Sequence, residues 1–346
     1  MLNISSYLPH THRSVLEICQ ALPGYLLVNE RFDTARDVLL RLVDYAGLGV
    51  VPSHPGKYKP PADAATNFWF AHAAYAYMRA SGDRATWDNA LLPLVKRIAQ
   101  TLISSSLGDT TMTDAGLVVE SAAKDAYPLG LNTLWYSTLT LLAEELAKVG
   151  DASGSHFDRL AGRFRRSFAK MFWCAPHQCL CDPRSKAAAG HYKVTFVPAP
   201  DQLLAVVLPF SPVAQTKQRQ IVASLKAANV SDLGMRVPWT LNVEAGERAR
   251  SGRKPEIVSP LYLAWLAEAL LKVSDGSAEA LAQADGWMNS LKSLEAENDG
   301  HLAWLYELRS QRPAGATQRA VTHGPTVAEV ARVAQLVARL KAARPG

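Results

Sequence analysis

No stretch of this sequence approaches the roughly 20 consecutive apolar residues that a membrane-spanning helix requires. Its first residues, MLNISSYLPHTHRS, lack the basic start and apolar core of a secretory leader. A soluble, cytoplasmic protein is therefore expected. Cysteine is scarce. Of four in 346 residues, Cys19 stands alone and Cys174, Cys179 and Cys181 fall within FWCAPHQCLCD, so a disulfide framework is excluded. His177 lies in the same segment, but the spacing is not the paired C-x-x-C of a zinc ribbon. A hairpin is expected there, with Cys179 and Cys181 on one face of a short strand, and no metal. No glycine-rich phosphate loop follows a strand and no H-E-x-x-H pair lies on a helix, so no cofactor is called for.

The net charge is +6 and the isoelectric point about 9.1, which raises the question of an anionic partner. The basic residues concentrate in RLAGRFRRSFAK (159–170), RARSGRK (248–254) and the terminal RLKAARPG. The first of these reads as the solvated face of an amphipathic helix. None interleaves aromatic with basic residues as a single-strand nucleic-acid surface does, so neither nucleic acid nor membrane is expected as a partner. With 48% hydrophobic residues, the chain can bury a large core. A single domain of this length, 1–346, is then a barrel, a solenoid or a layered enzyme fold.

Apolar periodicity broken by Gly, Pro and Asp predicts helices over 13–29, 33–47, 62–81, 83–105, 128–149, 153–173, 200–209, 213–228, 257–273, 277–297 and 324–341. Links after the odd helices are short (NERF, SGD, GDAS, FSP, SDGS) and those after the even ones long. Short links make antiparallel hairpins, and long ones carry the chain to the next pair. The hairpins share no fixed sequence period, which argues against a repeat solenoid. The expectation is an all-α, closed (α/α)6 toroid with the odd helices inside and one outer helix lacking. Its long links would open on one face, at the N-terminal ends of the inner helices, where a pocket is expected.

Polar and aromatic residues recur at those ends: Glu17 and Gln20; Asn67 and Trp69 in TNFWF; Asn132, Trp135 and Tyr136 in LNTLWY; Asp201 and Gln202 in PDQLLA; Glu256 in PEIVSP; His323 before GPTVAEV. Aromatic faces stack on pyranose rings and amides bond hydroxyls, so a cavity lined this way suits a small carbohydrate. Each residue also has an ordinary reading. Trp69, Trp135 and Tyr136 suit a core, Asp201 after a proline suits a helix cap, and Glu256 beside Pro255 suits the first turn of a helix.

These segments resemble the amylo-alpha-1,6-glucosidase domain of glycogen debranching enzymes, from about residue 13 to 340. ALPGYLLVNERFDTARDVLLRLVDYAGLGVVP is similar to the family's first hairpin, LNTLWYSTLTLLAEEL to its asparagine-x-leucine-tryptophan-tyrosine helix, and PDQLLAVVLPFSP to its asparagine-glutamine-leucine-leucine-alanine helix. The resemblance implies an (α/α)6 inverting glycosidase. It places Glu256 in register with the glutamate that acts as general base. Departures are specific. Glu17 stands for a sugar-binding aspartate, Ala65 for an acid, Gly130 for a glutamate, Ala199 for an arginine and Asp201 for an asparagine. The loop bearing the family's general acid is shortened to DAGLVVESAAKDAYPLGLN, leaving Asp125 and Glu120 as its candidates.

An inverting glycosidase pairs a protonated carboxyl with an ionised one. Asp125 as acid and Glu256 as base is the expected assignment, with Glu120 the alternative acid. Trp69, Trp135 and Tyr136 would wall a sugar subsite, and Glu17, Asn67, Asn132, Asp201, Gln202 and His323 would bond its ligand. Two other functions stay open on these residues: a repurposed enzyme acting on a sugar-like metabolite as an isomerase, lyase or tailoring enzyme, and a non-catalytic carbohydrate-binding protein.

Overall fold

The computed structural model describes residues 14–47, 49–54, 62–120, 127–181, 198–237, 256–308, 312–313 and 322–344. Eleven helical segments run along them. Helix α1 is Val15–Leu22 and continues as a π turn over Pro23–Leu27; α2 is Phe32–Ala46, α3 Ala64–Ser81, and α4 runs from Arg84 through a π turn at Trp87–Leu91 to Ser104. Then follow α5 (Leu129–Lys148), α6 (Gly154–Phe172), α7 (a 3-10 turn Pro200–Leu203 leading into Leu204–Val207), α8 (Gln215–Asn229), α9 (Pro260–Val273), α10 (Ala278–Glu297) and α11 (Gly324–Ala342). The positions agree with the periodicity because each segment carries its own boundaries. Asp63, for instance, caps α3 by accepting from the Thr66 N–H at 2.6 Å, and Gly82 ends it in the left-handed conformation at φ 73°.

The odd helices form a ring in which α1 packs on α3, α3 on α5, α5 on α7, α7 on α9, α9 on α11, and α11 back on α1. Helices α2, α4, α8 and α10 each lie outside two members of that ring, and α6 lies along α5. This is the expected (α/α)6 toroid, with five outer helices among the described residues. Inner helices are apolar on most sides, as helices surrounded by others must be; in α5 every residue from Leu129 to Leu139 is buried. The outer α6 is two-faced. Phe157, Leu160, Phe164 and Phe168 face inward, while Arg159, Arg163, Arg165 and Arg166 are exposed, which accounts for the first basic run.

The ring closes where the π turn of α1 crosses α11. A Cβ at Gly24 would stand 1.9 Å from the Ala328 carbonyl oxygen, so only a glycine lets the two backbones approach so closely. Pro23 has no N–H to bond back into the helix, and the chain widens there by one residue, with the Val28 N–H reaching the Pro23 carbonyl at 3.1 Å.

Short strands lie in four of the even-to-odd links, and of these only the hairpin around 174–181 is expected from the sequence. Strands β1 (Ser106–Leu107), β2 (Thr110–Met112) and β3 (Val118–Glu120) form one antiparallel sheet, and β4 (Trp173–Cys174) pairs with β5 (Cys179–Leu180). A third sheet, ordered β10-β9-β8-β7-β6, joins β6 (Val230–Ser231), β7 (Gly234–Val237), β8 (Ile257–Ser259), β9 (Tyr306–Glu307) and β10 (Arg312–Pro313). The expected hairpin is thus present, with Cys174, Cys179 and Cys181 all buried and the Cys179 and Cys181 sulfurs 4.0 Å apart. One expectation is corrected. The segment 257–259 is strand, so α9 begins at Pro260 and Glu256 precedes a strand rather than sitting in a first helical turn. Residues 257–259 find ladder partners in β7 and β9, which removes any need to start the helix earlier. No helix of the described residues is long and apolar enough to cross a membrane.

Candidate functional site

Amides stand at the N-terminal ends of three successive inner helices, and Asn67 and Asn132 make the same three bonds while Gln202 makes two of them. Asn67 accepts from the Val51 N–H at 2.9 Å and donates to the Val51 carbonyl at 3.0 Å and to the Asp63 carbonyl at 2.8 Å. Asn132 accepts from the Val118 N–H at 2.9 Å and donates to the carbonyls of Val118 and Pro128 at 2.9 and 3.0 Å. Gln202 accepts from the Leu180 N–H at 3.0 Å and donates to the Ala199 carbonyl at 2.9 Å. Each is buried, and each ties the link arriving from an outer helix to the residue that starts the next inner one. Sequence reasoning placed these amides at the right end of the ring and read them as hydroxyl partners. They bond instead to the backbone of the arriving links and of the helix starts.

Of the aromatic residues, Trp135 is fully buried, stacks on Phe68 at 5.3 Å and donates to the Gly116 carbonyl at 3.1 Å. Tyr136 packs on Phe164 of α6 at 5.4 Å, on the outer side of α5. Both are core residues of the helix layers. Trp69 is different, because it stacks on Trp265 of α9 with ring centroids 6.1 Å apart and lines a cavity. Helices α3 and α9 stand on opposite sides of the ring, so the two indoles meet across its axis.

Among the carboxyl groups, Asp201 has the most distinctive setting. It lies in the first turn of α7, accepts a hydrogen bond from the Tyr262 hydroxyl of α9 at 2.9 Å, and is deeply set yet partly reachable from solvent. A Cβ at Gly130 of α5 would come 3.6 Å from its second oxygen. Burial raises the Asp201 pKa, opposed by the Tyr262 bond, and burial together with Asp201 pushes Tyr262 well above its ordinary value. A carboxyl so placed keeps its proton to higher pH than a free one. Tyr262 drew no attention in the sequence, where PLYLAWLAEALL reads as plain apolar helix; the one signal was an aspartate in place of asparagine at position 201.

Glu256 is half exposed, 3.8 Å from the Arg236 guanidinium on β7, and its carbonyl accepts from the Leu308 N–H at 2.8 Å, which ties β8 to β9. Glu120 ends β3 and its pKa is raised by burial first and by Asp109 second. Asp125 lies outside the described residues. Glu17 sits half-buried in the first turn of α1. His323 caps α11, its Nδ1 lies 2.8 Å from the Thr326 hydroxyl, and its ring stacks at 5.8 Å on Trp304. Trp304, 36% exposed, is an aromatic platform on the same end of the ring that the sequence reading missed. Among the described residues, no group of three or more His, Cys, Asp or Glu side chains is arranged to hold a metal.

The expected pocket at this end is not where the described cavity lies. A cavity of about 330 Å³ is lined by the middle and C-terminal parts of the inner helices, including Trp69, His72, Trp265 and Arg332. Parts of the long links fall outside the described residues.

Six inner helices closed by short hairpins on one side and long, carboxyl-bearing links on the other define the six-hairpin glycosidase type of fold. The chain belongs to the amylo-alpha-1,6-glucosidase family, whose sequence profile matches residues 17–244. Solved structures with the same fold include a rhamnosidase from Klebsiella oxytoca with rhamnose bound (15% identity, TM-score 0.61, covering 93% of this chain and 58% of that one). A neutral trehalase from Saccharomyces cerevisiae is similar at 11% identity and TM-score 0.60, covering 94% and 70%, as is a bacterial glucoamylase complexed with acarbose at 13% and 0.58, covering 94% and 48%. The chain thus spans 58% of the first of these and less than half of the glucoamylase. A search of curated protein sequences returns no match.

Proposed function

We propose that this protein is a glycoside hydrolase acting on a small alpha-glucosidic or similar sugar at the N-terminal end of the inner ring, with inversion at the anomeric carbon. The observation that carries the proposal is the Asp201 carboxyl, held by Tyr262 and favouring its proton, at the end of the ring where the family's chemistry is expected. The resemblance sets a glutamate at position 130 and an asparagine at 201. Here a Cβ at position 130 would lie 3.6 Å from the Asp201 Oδ2, so a carboxyl reaches the same space from the neighbouring helix. The rhamnose and acarbose bound in two structures of this fold favour a sugar as the ligand here too.

In this mechanism Asp201 gives its proton to the glycosidic oxygen as the C–O bond breaks, and the half-exposed Glu256 takes a proton from the water that attacks the anomeric carbon. Asp125 and Glu120, the acids the sequence offers, are the other candidates. Trp304 offers a ring face to the sugar. With Asn67, Asn132 and Gln202 bonded to backbone, these three amides offer little to hydroxyls, which favours a one- or two-sugar substrate over a branched polymer.

Proton NMR of the protein with isomaltose, maltose, trehalose and a glycogen limit dextrin tests this. Beta-glucose appearing first establishes inverting hydrolysis, and Asp201→Asn, Asp125→Asn, Glu120→Gln and Glu256→Gln then rank the carboxyls. Spectra unchanged with every substrate reject hydrolysis and leave a sugar-binding role, which titration of the same sugars would show.

A further inference from the structure

Beneath the Trp69–Trp265 pair, the axis of the ring opens toward the C-terminal ends of the inner helices as the cavity of about 330 Å³. That volume lies within the range of small-molecule sites. Its walls are mostly apolar, from Leu204, Val207 and Pro209 of the α7 end and the two indoles. Into them is set a closed charge cluster. Arg332 of α11 donates to both oxygens of Glu268 at 3.0 and 2.5 Å and to both oxygens of Glu329 at 2.9 and 2.8 Å, and the Trp265 indole N–H donates to Glu329 at 2.8 Å. Apolar side chains in place of such a cluster are often neutral or stabilising. Its presence on a cavity wall therefore points to a use beyond packing.

We propose that this cavity is a binding site for a small neutral, polyhydroxylated ring molecule of monosaccharide or cyclitol size. The charges select against ions of either sign. An anion would face Glu268 and Glu329, whereas a cation would meet Arg332, already bonded to both carboxylates, and Arg339 at the mouth. Lys272 lies nearby with its ammonium on the Val206 and Leu208 carbonyls at 2.6 and 2.9 Å. His72, also on the wall, is neutral at pH 7, its pKa lowered to about 4 by burial first and then by Arg332. Carboxylate oxygens have more lone pairs than Arg332 and Trp265 occupy, so they accept from hydroxyls, while the Gln20 amide and His72 offer donors and acceptors. The indoles supply flat apolar faces. The site is separate from Asp201 and does not depend on the hydrolase reading.

The test is titration of the full chain, indole-labelled with nitrogen-15, with D-glucose, myo-inositol, choline and acetate in turn. The expected result is a saturable shift of the Trp265 indole N–H with a polyol and none with choline or acetate. Filling the cavity from its wall with Ala76→Phe, or from its rim with Ala80→Trp, should weaken the polyol at least tenfold in variants whose circular dichroism and melting stay native. Asp201→Asn should leave the affinity within twofold. The proposal is overturned if no probe moves the signal, if choline or acetate does and the polyols do not, or if polyol binding survives both cavity-filling variants. Polyol binding lost with Asp201→Asn and retained in the cavity variants would also overturn it, placing the sugar at the other end in keeping with the hydrolase reading.

Discussion

At the N-terminal end of the inner helices Asp201 is held by a neutral hydroxyl, that of Tyr262 at 2.9 Å, and Glu256 stands half exposed, 3.8 Å from Arg236. Toward the opposite end Glu268 and Glu329 share a single guanidinium, that of Arg332, through four bonds. The same side-chain chemistry is therefore poised in one place and locked in the other. Burial makes the first carboxyl keep its proton to higher pH than a free one, whereas the oxygens of the other two are tied up by the arginine's N–H groups. Proton transfer suits the first end and recognition of a neutral ligand the second.

The sharpest way to break this contrast is Asp201→Asn. Turnover should fall by about 10²- to 10⁴-fold, the usual contribution of a general acid, while stability at neutral pH should hold or rise by about 0.5–2 kcal/mol as a buried ionisable group is removed. The sign follows from the raised pKa. The stabilising contribution is complete below the unfolded carboxyl's pKa and is lost as pH rises through the folded one, so the variant's advantage should widen with pH. A variant that unfolds more readily at pH 7 and keeps full activity would make Asp201 a structural residue.

Arg332→Met tests the locked end. It leaves two carboxylates without their partner and should cost about 3–5 kcal/mol in urea unfolding, much of which returns when Glu268 and Glu329 are replaced by Leu as well. A cost below about 1 kcal/mol would mean that the cluster is well solvated. Gly24→Ala should lower stability by about 1–3 kcal/mol or more, because the new Cβ would meet the Ala328 carbonyl at 1.9 Å. A variant of native stability would show that the crossing of α1 over α11 can relax.

Asn132→Ala separates framework from ligand contact at the first end. Two backbone groups of Val118 lose their partner, so about 1–3 kcal/mol of stability should be lost, with KM unchanged in the folded fraction. A large rise in KM at unchanged melting temperature would restore a sugar-binding role. The smallest effect is expected from His72. Since its pKa is lowered to about 4, the folded state stays neutral while the unfolded chain protonates from about pH 6.5 downward. Stability should therefore decline as pH falls from about 6.5 to about 4, by at most about 3 kcal/mol, and His72→Gln should flatten that part of the melting-temperature profile.

Much of this architecture is legible in the chain. Helix boundaries follow from Asp63, Gly82 and the periodic apolar residues, and the alternation of short and long links orders the helices into hairpins whose inner members are apolar on most sides. Less legible was what polar residues do once there. Asn67, Asn132 and Gln202 were placed at the correct end, but whether an amide meets a sugar or a backbone depends on Val51, Val118 and Leu180, which arrive from distant parts of the chain. Glu256 illustrates the same limit. The pattern Pro-Glu before an apolar run reads as a helix start, and only pairing with β7 and β9 turns 257–259 into strand.

The sequence by itself determined the number of helices, their alternation and the family, because those rest on local periodicity, capping and links, all encoded within a few residues of where they act. The tertiary structure decided which carboxyls are poised and which are locked. Asp201 and Tyr262 are 61 positions apart, and Glu268 and Arg332 are 64. Burial and pairing set the proton affinity of such groups, and both arise only when the ring closes.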